Sequence, residues 1–253
     1  MKAIIRVIMA GTTQFETILR GNTAPGVNRW VIEYLSAADC TDEAKLLDIP
    51  CGDGTFLDAV KRVFPKMRTY AADIAHPGRD FGHGFFQIDA RRGLAAEITE
   101  KFDVITCISG VMEFDNTLSF FESLRAIVTP ECLLIVTNDN LLSVRDRILY
   151  LLFGRHRQYK LAIAHYAPTW KILPLQNLDR ILSDAGFEVK KIRFVRPGRK
   201  EYFWLPLAAL IYPFQFLYLK LAEGSADRRR KLEMYPFISL LSRHYVVICT
   251  PRT

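Results

Sequence analysis

The 253-residue chain has five cysteines, an odd number, and no two of them stand in C-x-x-C spacing. That argues against a disulfide framework and excludes the common zinc and dithiol patterns, so no metal site is expected and a reducing, cytoplasmic setting suits the chain. There is no internal repeat and no low-complexity tract, which excludes solenoid and disordered architectures. Residues 1–10 hold several apolar side chains, but Arg6 interrupts them before a signal-peptide core forms, and no secretion signal is expected. What is present is 50% hydrophobic and 24% charged sequence with a formal charge of +7. Such a chain buries a real core, and we expect a single domain over 1–253 with an insertion. The positive excess favours anionic partners, whether nucleic acid, phospholipid head groups or a phosphorylated substrate.

Short apolar runs alternate with helical stretches. Trp30, Val31, Tyr34 and Leu35 recur at helical spacing within a predicted helix over 27–38, and strands are predicted at 45–49, 68–73, 84–89, 102–108 and 132–137. A basic and apolar stretch follows over 141–165, then a helix over 175–185 stopped by Gly186, a strand over 187–195 and a last, β-branched strand over 244–250. This alternation predicts a parallel sheet with helices on both faces.

Leu46-Leu47-Asp48-Ile49-Pro50-Cys51-Gly52-Asp53-Gly54-Thr55-Phe56 sets two glycines between an apolar strand and a helix starting near Thr55. Glycine lets the backbone approach a ligand closely, and helix-start N–H groups favour an anionic group, which together suggest a nucleotide-like ligand. The third glycine of the G-x-G-x-x-G dinucleotide fingerprint is missing, which disfavours a nicotinamide dehydrogenase. The stretch resembles motif I of class I S-adenosylmethionine-dependent methyltransferases, with Asp48 as its acidic residue, Pro50 in place of the first glycine, and Gly52 and Gly54 as the other two. The resemblance covers about 27–138, with weaker support to 195. It implies an α/β, Rossmann-like fold: a seven-stranded, mostly parallel sheet whose last strand is antiparallel, flanked by helices on both faces. It divides the chain into a cofactor-binding half over 27–138, a substrate-side half over 139–195 and an apolar, basic insertion over 196–243.

S-adenosyl-L-methionine is the cofactor that the resemblance implies, held by Asp48, Pro50, Cys51, Gly52, Gly54, Asp73, Ile74, Asp89, Ala90 and Ser109. Asp73 would offer two acceptor oxygens to the ribose diol, and Asp89 would meet the adenine amino group. Cys51 reads as a small packing residue and not as a nucleophile. Residues 102–114 resemble the family's motif IV, although Glu113-Phe114 stands where many relatives carry Glu-His. Residues 125–138 resemble the helix, proline-containing turn and fifth strand that come next.

The implied reaction is direct methyl transfer to a small-molecule, glycan or lipid-linked acceptor, at oxygen by first choice. His165 with Tyr166, and separately Glu113, are the candidate catalytic residues, His165 as a base near neutral pH and Glu113 as base or orienting group. A nucleic-acid acceptor is disfavoured, since neither an Asn/Asp-Pro-Pro-Tyr/Phe motif nor a cysteine follows the fourth strand. A protein that binds the cofactor at a membrane without catalysing transfer stays open as an alternative.

Residues 202–221 are aromatic, apolar and nearly uncharged, and Arg228-Arg229-Arg230-Lys231 follow. Their length suits a membrane span, yet strands before and after them in one sheet would require a return on the same side. Pro206 and Pro213 are expected to kink or break a helix, leaving an interfacial or re-entrant hairpin, or else a lid or dimer surface. With the basic stretch over 144–157 it would form a greasy, positive rim, placing the protein peripherally at the inner membrane face.

Overall fold

The computed structural model describes residues 21–38, 40, 43–78, 81–90, 94, 98–157, 171–221 and 228–252. His165, Tyr166 and residues 1–10 lie outside them. The elements run α1 (Val27–Ala37), β1 (Lys45–Asp48), α2 (Thr55–Val63), β2 (Arg68–Asp73), β3 (Gly84–Gln87), β4 (Phe102–Ile108) and α3 (Thr117–Leu124). They continue with β5 (Val128–Asp139), α4 (Val144–Phe153), α5 (Leu175–Asp184), β6 (Phe187–Phe194), α6 (Leu205–Leu221), α7 (Arg228–Met234) and β7 (His244–Pro251). Single 3-10 turns stand at Glu201–Trp204 and Phe237–Leu240.

The sheet has seven strands in the order β3-β2-β1-β4-β5-β7-β6. The first five pair in parallel, and β7 inserts antiparallel between β5 and β6. Alternation along each strand explains the two helical layers, since successive side chains point to opposite faces. Leu47, Ile105, Leu134 and Val247 pack beneath Phe120, Phe121 and Leu124 of α3 and Leu178 and Leu182 of α5. Their chain neighbours Leu46, Val104, Ile135, Val246 and Ile248 face the other way, onto Val31 and Leu35 of α1 and Phe56 and Val60 of α2. Both faces of the central strands are therefore dry, and the carboxyl ends of β1, β2 and β4 are left as the open edge where a ligand can lie.

Two expectations are corrected. The helix ends at Leu124, before Arg125, and Pro130 lies inside β5 and not in a turn that precedes it. Phe102 pairs with Val128 and then Val104 with Leu133, so the proline falls in a bulge where no ladder donor is required of it. Residues 205–221 form one helix that continues through Pro213, where a kink or a break was expected. Pro206 falls in the first turn, which needs no intrahelical donor. Pro213 leaves the Ala209 carbonyl without its helical partner, and Ala209 is exposed, so another partner can satisfy it.

Candidate active site

The β1–α2 loop is shaped by backbone hydrogen bonds that its residue types permit. Cys51 N–H donates to the Ala72 carbonyl at 3.0 Å, and Gly54 N–H to that of Cys51 at 3.0 Å. Gly52 (φ 54°) and Gly54 (φ 76°) are left-handed, a conformation that costs an L side chain about 1 kcal/mol or more. Gly54 caps α2, and the Asp53 carboxylate accepts from Thr55 N–H at 3.0 Å. Asp73, at the end of β2, fastens the loop from the next strand. One of its oxygens accepts from Gly52 N–H and the other from Ile74 N–H, each at 2.8 Å.

Above this loop lies a cleft of about 530 Å³, lined by the β1–α2 loop, by Asp73, by residues 108–110 with Glu113 after β4, and by Gly21, Asn22, Thr23 and Asn28. Its size suits one nucleoside-bearing ligand. Of the residues expected at the cofactor, Asp48, Pro50, Cys51, Gly52, Asp73 and Ser109 line the cleft, and so does Glu113. Gly54 acts one step behind, as the helix cap. Ile74 is exposed just past β2, and Asp89 and Ala90 lie beyond the end of β3, all three outside the cleft lining.

Ser109 was expected but its geometry was not. Its φ of 58° is the one positive value among described non-glycine residues, and such strain gathers at ligand sites. The backbone is held there by Ser109 N–H donating to Thr137, and the hydroxyl meets Thr23 Oγ1 at 2.7 Å. The pair closes the cleft by joining the chain before α1 to the end of β4. Residues 21–28 lie 24 to 31 positions ahead of Gly52 with no motif of their own, and only the docking of α1 reveals them.

Gly110 is fixed by contact. A Cβ placed on it would stand 2.3 Å from Pro50 Cδ and 2.5 Å from Cγ, closer than carbon atoms approach. Gly110→Ala is therefore expected to push the two cleft walls apart, costing about 1–3 kcal/mol of stability by overpacking and weakening cofactor binding by about tenfold. Thermal unfolding and titration calorimetry check both. Wild-type values would show that the loop yields freely.

Charge decides what the cleft accepts. Its carboxyl side chains are Asp48, Asp53, Asp73 and Glu113, with no lysine or arginine among the described lining residues, in a chain of net charge +7. A dinucleotide brings a doubly negative pyrophosphate into that field and is repelled. S-adenosylmethionine brings a sulfonium and an ammonium against one carboxylate, and fits. Cys51 is no thiolate here, since burial and then the Asp48 charge push its thiol far up.

Asp48 is the most perturbed of the four. Complete burial raises its carboxyl from 3.8 to about 8, against the Thr106 hydroxyl that donates to Oδ1 at 2.6 Å, and Asp73 and Asp53 add to the rise. A raised carboxyl is stable in its neutral form, so its ionisation lowers the stability of the free protein as pH climbs from about 4 towards 8. A bound cation reverses that preference. Cofactor affinity is accordingly expected to rise with pH up to about 8, with a proton released on binding at pH 7, and Asp48→Asn is expected to abolish both. Calorimetry in buffers of different ionisation enthalpy measures the proton directly.

A parallel sheet with one inserted antiparallel strand and an acid-lined nucleoside cleft at its carboxyl edge defines a Rossmann-like, S-adenosylmethionine-dependent methyltransferase. The chain belongs to a methyltransferase-domain family, whose pattern matches residues 23–192. Solved structures agree on the fold. An S-adenosylmethionine-dependent methyltransferase from Archaeoglobus fulgidus has 18% identity over 94% of this chain and 98% of its own, with a TM-score of 0.55. One from Clostridium acetobutylicum has 10% identity, over 100% and 97%, with a TM-score of 0.57. The cyclase SpnF has 15% identity, over 95% and 92%, with a TM-score of 0.56. No curated protein matches the chain.

Proposed function

We propose that the chain transfers a methyl group from S-adenosylmethionine to a hydroxyl oxygen of a small-molecule, glycan or lipid-linked acceptor, with Glu113 as the base. One observation carries this reading. Of the four carboxylates on the cleft wall, Asp48 is bonded by Thr106, Asp53 by Thr55 N–H and Asp73 by two backbone donors. The Glu113 carboxyl has no hydrogen-bond partner among the described residues and stands half-buried on the same wall. Burial first and the Asp73 charge second raise it above its ordinary value, which makes it a stronger proton acceptor than a solvated carboxylate.

When bound, the cofactor supplies an electrophilic methyl group already activated by its sulfonium. The protein's part is to hold it, exclude water and present the acceptor in line. Asp73 and the Gly52–Gly54 loop are suited to the nucleoside, and Asp48 to the cationic end. Glu113 would take the hydroxyl proton as the oxygen–carbon bond forms and the carbon–sulfur bond breaks, leaving a neutral thioether. The expected result with labelled cofactor and a panel of lipid, glycan and small-molecule acceptors is label on a hydroxyl-bearing acceptor. Label on amines alone would overturn the oxygen reading.

A second reading is a protein that binds the cofactor without methyl transfer. It is favoured by the absence of a histidine among the described residues that line the cleft, and the fold alone does not decide, since a cyclase shares it. Cofactor binding with no turnover on any acceptor would support it.

A further inference from the structure

Contiguous exposed apolar side chains mark a contact surface, whereas scattered ones do not. Among the described residues, every exposed large apolar side chain except Ile74 lies on two segments: Tyr150 to Phe153 at the end of α4, and Tyr202 to Leu221 along the 3-10 turn and α6. The segments form one surface. Val144 and Ile148 of α4 pack with Ala208 and Ile211 of α6, and Arg147 donates to Gln215 Oε1 at 2.6 Å. Along α6 the exposed Leu210, Phe214, Leu217 and Leu221 recur at helical spacing on the face opposite to Ala208. The helix is thus apolar on both sides, and none of the described residues covers one of them.

Residues Glu201–Leu221 are long and apolar enough to cross a bilayer, and only Ala208 among them is buried. The fold argues against crossing. Before this segment Val195 N–H bonds the His244 carbonyl of β7 at 3.0 Å. After it, Arg230 of α7 bonds Asp179 of α5 and the Val189 carbonyl of β6, and the Phe237 ring meets Tyr212 of α6 at 5.3 Å. Both ends return to one sheet, and α6 lies along the body with one side outward.

Charge indicates what covers that side. Exposed Arg196, Arg199 and Lys200 line, with Arg243, a cleft of about 490 Å³ where the segment leaves the sheet, and its one acid, Glu201, pairs with Arg243 at 3.7 Å. At the far end the Lys220 ammonium stands 4.5 Å from the Phe216 ring. Among the described residues the cofactor cleft is lined by carboxyl groups and by no lysine or arginine, whereas the apolar helix has cations at both ends. A second copy of the chain would bring like charge to like. Anionic head groups over an acyl boundary complement both the cations and the apolar face.

We infer that the last turn of α4, α6 and the basic cleft at its start seat the protein on an anionic bilayer, with the helix in the plane of the interface. The family match ends at residue 192, ahead of α6, and the inference stands apart from the identity of the acceptor. The test is flotation of the full chain with phosphatidylcholine vesicles, with and without phosphatidylglycerol. Flotation with the anionic vesicles, weakened by salt, is expected. Phe214→Glu with Leu217→Glu, two exposed positions, should lower vesicle partitioning by about tenfold or more. Arg199→Glu with Lys200→Glu should remove the preference for anionic lipid. Unchanged S-adenosylmethionine binding by each variant shows that the fold is intact. The proposal is overturned if the wild type floats with neither vesicle, if the variants float as it does, or if the wild type is a dimer that the Phe214 and Leu217 changes disperse.

Discussion

Glu113→Gln is expected to lower the turnover number about 100- to 10,000-fold, the range that a positioned general base contributes, while cofactor affinity changes by less than about threefold. The two effects separate because the Glu113 carboxyl has no hydrogen-bond partner among the described residues, whereas Asp53 and Asp73 bond the loop itself. Glutamine keeps the shape and removes only the proton acceptor. In the wild type the rate should rise with pH as the Glu113 carboxyl ionises, at a pH above its ordinary 4.5 because burial raises it. That limb should disappear in the variant. An equal loss at every pH, or a loss confined to cofactor binding, would assign Glu113 a structural role.

The sheet was legible in the sequence because its central strands are dry on both sides. Runs such as 132–136 and 245–249 are continuously apolar, and the glycine loop with its following helix fixes where the first β–α unit turns. Where the reading failed, tertiary contacts outweighed local signals. Pro130 reads as a turn, yet a bulge against β4 absorbs it. Pro213 reads as a kink or a break, yet α6 runs on past it, packed through Ala208 and Ile211. The candidate site was legible in its β1, β2 and β4 parts, since Asp48 and Asp73 are the polar residues that end their strands and Ser109 directly follows β4. Asn22, Thr23 and Asn28 carry no such mark. They reach the cleft because α1 docks beside α2 and carries the preceding chain across the glycine loop, a consequence of Val31 and Leu35 packing against Phe56 and Val60.

Asp73→Ala is expected to weaken S-adenosylmethionine and S-adenosylhomocysteine binding by about 100-fold, through two losses that a thermodynamic cycle can separate. The first loss is internal. Gly52 N–H and Ile74 N–H both lose a charged acceptor at 2.8 Å, and hydrogen bonds to a charged group contribute about 1.5–3 kcal/mol each. The second is to the ligand, since the same carboxylate is the acceptor proposed for the ribose hydroxyls. Asp73→Asn divides the first loss, because its amide keeps one acceptor oxygen and turns an NH2 towards the other donor, so an intermediate affinity is expected. A 2′-deoxy analogue of S-adenosylhomocysteine isolates the second. If Asp73 meets the ribose, the alanine substitution costs the deoxy ligand clearly less than the parent. If the penalty is the same for both, Asp73 serves the loop alone, and the ribose finds its acceptor elsewhere on the cleft wall.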